Sequence, residues 1–238
     1  MIVSERRIKN NIDIKFKICE VKTLENNGLL KKMYGNLKMS WLTVIIFAIA
    51  AGIYTGMIML VPALNETSFQ DIGINFEWWV IFAVIIIVNC RKNTEAMLKC
   101  FVFFLISQPV IYAVEILFGP LVFSQALIFY KATWLPMTFA VLPGAFIAYY
   151  CKRQDTIGAV VLGLGNTIQF IMGITYIAKC AGDFPHHLLS IIVCFFSIPV
   201  MSFGIQESRK NRLISMLFPV LASAVLVVLA ALTGRLHV

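Results

Sequence analysis

Gln108, Tyr112 and Glu115 stand at i, i+4 and i+7 in the segment FFLISQPVIYAVE. On a helix that spacing puts an amide, a phenol and a carboxylate on one face. Together they could hold a cation, share a proton or orient a small polar solute. Polar groups in hydrocarbon are costly, so such a face marks a candidate site. Pro109 interrupts the stretch. It has no N–H, so the Leu105 carbonyl loses its usual partner and a kink is expected.

Glu77 is the second acid of interest. The apolar run Trp78–Val88 is 11 residues, which as a helix covers only about 16 Å. To cross a bilayer the helix must extend back through IGINFE, drawing Glu77 into the outer leaflet. Glu77 is 14 residues from Arg91, or roughly 21 Å along a helix. Glu115 is 16 residues from Lys99, or roughly 24 Å. The two carboxylates therefore fall at similar depth on consecutive helices. If their faces meet, like charges favour a shared proton or a bound cation. If they do not, each is an interfacial carboxylate, Glu77 beside the Trp78–Trp79 pair and Glu115 near Gly119. The sequence leaves both readings open.

Asn166, Gln169 and Gly173 share a face of GLGNTIQFIMG, and Gly165, Gln169 and Gly173 form a four-residue row. Small residues let helices approach and amides bond across the contact, so this segment either glues helices or lines a cavity. GLGN lacks the lysine and preceding strand of a phosphate loop. Ala48, Gly52 and Gly56 form another small-residue row, a packing face for the bundle, a partner subunit or a second copy. The adjacent histidines of DFPHH point two ways on a helix, so with Asp183 they offer at most a loose metal site and more ordinarily sit at the interface. No HExxH or GxSxG occurs, and Glu77 with His186 or His187 is the only enzyme-like constellation. No cofactor, metal or catalytic residue is expected.

The elements that position these residues follow from composition. Of 238 residues, 60% are hydrophobic and only 13% charged, against about 25% charged in soluble domains. Several continuous runs reach the ~20 residues that span ~30 Å of hydrocarbon, and they do not alternate as barrel strands do. The expected fold is an all-α polytopic bundle. Its expected spans are Trp41–Ala63, Ile72–Asn89, Leu98–Gly119, Ala132–Cys151, Ile157–Ala178, Pro185–Gly204 and Leu213–Gly234. The count falls to six if one segment is re-entrant, and PLVFSQALIFY (Pro120–Tyr130) is short enough to lie in the interface.

The net charge of +8 does not point to nucleic acid, because the basic residues sit at the ends of apolar runs. With the N-terminus in the cytoplasm and seven spans, all of the 20 Lys and Arg except Lys131, Lys179 and Arg235 lie inside. The first outer loop holds Glu66 and Asp71. This is the positive-inside pattern, with the C-terminus outside. Residues 1–40 form a basic cytoplasmic tail suited to anionic headgroups, and 41–238 the transmembrane domain. The tail contains IDIKFKI (Ile12–Ile18), an alternation that reads as a short strand needing a partner; translation from Met33 or Met39 would omit it. No cleavable leader is expected. Of Cys19, Cys90, Cys100, Cys151, Cys180 and Cys194, only Cys180 falls outside, so no disulfide is expected. A bacterial cytoplasmic membrane is the expected location, although Asn65-Glu66-Thr67 is an outward-facing glycosylation sequon.

In size and in its small-residue first helix the chain resembles the membrane-embedded substrate-binding subunits of energy-coupling-factor vitamin transporters. That architectural likeness implies binding or transport of a small solute or ion. The expected cavity opens outward and is lined by Gln108, Tyr112, Glu115, Glu77, Asn166 and Gln169. The alternative is a structural or regulatory membrane subunit. An intramembrane enzyme ranks below both.

Overall fold

The structure, a computed structural model, describes residues 37–74, 76–182 and 184–232, without the side chains of 72–77 and 227–232. The tail strand IDIKFKI and Asp183 lie outside these residues. The described residues are helical, with no strand among them.

The helices are α1 (Trp41–Met59), α2 (Ser68–Ile74), α3 (Phe76–Val88), α4 (Asn93–Phe118), α5 (Phe123–Phe129), α6 (Leu135–Ala148), α7 (Thr156–Gly182), α8 (Leu188–Ile205) and α9 (Arg209–Leu232). Five are long and apolar enough to cross a membrane: α1, α4, the continuous helix Phe123–Lys152, α7 and α8. The chain is thus a helical membrane protein.

The expected span Ile72–Asn89 falls on α2 and α3, which flank Asn75, a residue outside those described. One expected segment differs from the structure. The segment Pro120–Tyr130 is not a separate interfacial piece, because α5 runs through a π-turn at Tyr130–Trp134 directly into α6. Within that turn the Leu135 amide reaches back to the Tyr130 carbonyl. The widened turn comes immediately before Pro136, which has no N–H to continue a regular ladder.

The helices form two groups. In the first, α4 packs against α1 and α6; in the second, α7 packs against α8 and α9. Helix α3 lies between them and touches α4, α6 and α7, while α2 touches α1 and α8. The first group is welded by aromatic rings. Phe47 of α1 packs edge-on against Phe82 of α3 at 5.2 Å, and Trp79 packs on both Phe103 and Phe104 of α4. Close approach of α1 to α4 depends on glycine. A Cβ on Gly52 would come 2.7 Å from the Ser107 carbonyl, and one on Gly56 2.7 Å from Val114 Cβ. Ala48 is fully buried in the same core.

The basic end of the bundle is tied by side chains that reach backbone carbonyls in the connecting segments. Lys152 donates to the Cys90 carbonyl at 2.7 Å, just past the C-terminus of α3. Lys99 donates to the Met39 carbonyl and pairs with Glu95. Gln206 donates to the Cys151 and Arg153 carbonyls. At the C-terminal ends the Lys152 cation and the Gln206 amide satisfy carbonyls that a helix leaves open, whereas the Met39 carbonyl held by Lys99 precedes the N-cap of α1. At the start of α7, Asp155 accepts from the Gly158 amide at 2.9 Å, a side-chain N-cap.

Five cysteines, Cys90, Cys100, Cys151, Cys180 and Cys194, are buried thiols. Burial pushes the Cys90 thiol, in the loop after α3, up to about 11, and the nearby Glu95 carboxylate adds to the rise.

Candidate functional site

Helix α4 carries Gln108, Tyr112 and Glu115 to one cavity of about 90 Å³. Its 3.6-residue period puts all three on the same wall, and α4 runs through Pro109 without ending. Thr55 and Met59 of α1, Trp79 of α3 and Trp134 of the π-turn close the other sides, together with Ile111. The π-turn therefore has a positional role, since it presents Trp134 to the α4 face.

The wall is short of partners. Gln108 is 2% exposed, yet its Nε2 has no hydrogen-bond partner. The same is true of Glu115 Oε1 and Trp79 Nε1, both of them buried atoms. Buried polar groups in folded proteins are almost always satisfied, by protein, water or ligand. Three of the residues that line the cavity thus each carry a buried polar atom, two N–H donors and one carboxylate oxygen in all, with no hydrogen-bond partner among the described residues. These groups can bind and orient a polar molecule. They do not make a nucleophile with its base, and no three His, Cys, Asp or Glu come together as a metal site among the described residues.

Glu77 is the second residue of α3, and its side chain lies outside those described. Of the remaining expected site residues, two go elsewhere. Asn166 and Gln169 are fully buried in α7 and do not line this cavity. Asn166 Nδ2 donates to Ser202 Oγ of α8 at 3.1 Å and to the Ser215 carbonyl of α9 at 3.0 Å. It joins three helices, although its Oδ1 has no partner. Gly173 packs against Phe195 and Cys194 of α8. Gly165 is not a packing residue: a Cβ there would meet nothing within 4 Å. Gly163 is the one pressed against α9, at Phe218. Helix α7 meets its two neighbours on different faces, so the row with four-residue steps does not select the packed glycines.

A second polar cluster was not read from the sequence. Asp71 of α2 accepts from Ser190 of α8 at 2.6 Å, and its same oxygen lies 2.9 Å from His187 Nδ1. All three are buried, and Tyr176 of α7 stacks on the His187 ring. Ser68 donates to the His186 carbonyl and accepts from the Ser190 amide. In a hydrolytic triad the histidine stands between acid and serine. Here the acid stands in the middle, so the histidine cannot take the serine proton. The cluster clasps α2 to α8. Its only signal in the sequence is two pairs at i, i+3, Ser68 with Asp71 and His187 with Ser190, separated by more than a hundred residues.

Comparison with protein-family models, with curated proteins and with solved structures finds no match to this chain.

Proposed function

We propose that the protein is a multi-pass integral membrane protein that binds a small solute or ion in the cavity lined by Gln108, Tyr112 and Glu115, as a transporter or its binding subunit. The observation that carries this is the set of three unsatisfied buried polar atoms on residues lining one cavity, in a bundle whose helix-end carbonyls at the basic end are capped by lysine and glutamine. In this reading the chain crosses the membrane seven times, with α3 and α9 completing the five long apolar helices. The lysines and arginines near Met39, Cys90, Cys151 and Gln206 face the cytoplasm, and the cavity opens on the outer side of a plasma membrane. The basic tail contacts anionic headgroups.

The α7–α8–α9 group favours a second reading. There Asn166 joins three helices directly, as it would in a structural or regulatory subunit whose polar residues serve assembly alone.

Met59 lines the cavity and is exposed. In a cysteine-free chain, Met59→Cys should react with a membrane-impermeant thiol reagent added outside intact cells, and Gln108→Leu should weaken solute binding followed by tryptophan fluorescence. Labelling only from the cytoplasmic face would sink the orientation. Tryptophan emission that no small solute changes would leave the structural reading standing instead.

A further inference from the structure

We infer that the cavity takes a small protonated primary amine carrying one hydrogen-bond acceptor, of the size and type of an amino alcohol; this rests on the binding reading above. Three properties of the wall define that ligand. The first is charge. Glu115 presents a buried carboxylate oxygen without a partner. A carboxylate in a low-dielectric site needs a counter-charge, and an ammonium supplies both the charge and a charge-assisted hydrogen bond. The surrounding side chains suit a cation too. Trp79, Tyr112 and Trp134 line the same space, and aromatic rings attract ammonium groups.

The second property is the donors. Gln108 Nε2 and Trp79 Nε1 are buried N–H groups without acceptors. A bare alkyl ammonium or a metal ion would leave both unsatisfied. An alcohol or carbonyl oxygen has two lone pairs and can accept from both. The ligand therefore needs an acceptor next to its ammonium. An anionic acceptor is disfavoured, because it would share the cavity with the Glu115 carboxylate.

The third is size. A cavity of about 90 Å³ has room for several waters. It suits a compact molecule such as ethanolamine. Met59 and Ile111 supply apolar surface for the short carbon chain.

The test uses the full-length protein in nanodiscs and calorimetric titration with four probes: ethanolamine, ethylamine, ethanol and glycine. Ethanolamine should bind most tightly. Ethylamine lacks the acceptor, and ethanol lacks the charge; each should bind roughly 10- to 100-fold more weakly. Glycine should bind weakly through its carboxylate. Glu115→Gln should lower ethanolamine affinity by a similar factor, and Gln108→Leu should reduce ethanolamine binding towards that of ethylamine without changing ethylamine itself. Gel filtration confirms that both variants fold.

Equal binding of ethylamine and ethanolamine overturns the acceptor requirement. Ethanolamine binding unchanged by Glu115→Gln overturns the cation assignment. Binding of ethanol or glycine alone refutes the ligand class while keeping the cavity as a solute site. If no probe binds and Met59→Cys cannot be labelled from outside, the binding reading itself fails along with this inference.

Discussion

The two helix groups solve the same problem in different ways. Helices α1 and α4 are joined by absence: Gly52 and Gly56 remove side chains so that backbones meet, and the polar face of α4 is turned to a cavity where Gln108 and Glu115 find no protein partner. Helices α7, α8 and α9 also use glycines, Gly163 and Gly173. There the amide of Asn166 meets Ser202 and the Ser215 carbonyl brought by its neighbours. Helical spacing placed polar residues on a face in both groups. The neighbours decide whether that face bonds across helices or is left against a cavity.

The largest effect expected is at the α1–α4 contact. Gly52→Val must displace the Ser107 carbonyl and Val110, and should destabilise the protein by about 3 kcal/mol, read as a lower unfolding midpoint in detergent. A stable Gly52→Val variant would show that the contact is looser than glycine packing requires.

Next is Asn166→Ala, which leaves Ser202 and the Ser215 carbonyl without their donor. It should cost about 1.5 kcal/mol, near the upper end for interhelical hydrogen bonds in membranes. Gln108→Leu is its counterpart in the first group. It removes an amide nitrogen that has no partner, so stability should change by less than about 0.5 kcal/mol while solute binding weakens. Equal destabilisation by the two substitutions would erase the distinction between the groups.

Asp155→Ala should cost about 1 kcal/mol as a lost N-cap of α7. Asp155 also gives the contrast a pH axis. Burial raises its carboxyl, but the Gly158 amide bond and Arg153 outweigh this and hold it below the ordinary aspartate range. A depressed folded pKa stabilises above the unfolded value of about 4 and is lost as pH falls through the folded one. Acidification from pH 5 towards 2 should therefore loosen α7 more in the wild type than in Asp155→Ala, measured by hydrogen exchange of its first turn. The smallest effect is chemical. Cys90, with its thiol near 11, should resist alkylation at pH 8 until the protein unfolds.

What was legible in the sequence is what one helix determines by itself. The apolar runs, the shared face of Gln108, Tyr112 and Glu115, and the small-residue row of α1 need only a 3.6-residue period. What was not legible depends on rotation and register between helices. Nothing in α4 announces that Thr55, Trp79 and Trp134 complete its cavity. Nothing in the row of Gly165, Gln169 and Gly173 shows that Gly163 is the residue against Phe218. The place of Asp71, counted as an outer-loop acid, was hidden because it is set by His187 and Ser190, distant in the chain. The π-turn was hidden because Pro136 signals a disturbed ladder but not how the chain absorbs it.

The lysines at the basic end bear on how the protein meets lipid. Lys99 and Lys152 are buried, their ammonium groups spent on carbonyls at Met39 and Cys90, whereas Arg91, Lys92, Arg209 and Lys210 are exposed. A tally of basic residues treats all six as one pool of surface charge. Two of them are fasteners, so the electrostatic pull of this end on an anionic bilayer is weaker than the tally implies. Reversing the sign of Lys152 to alter membrane orientation would at the same time remove the cap from α3.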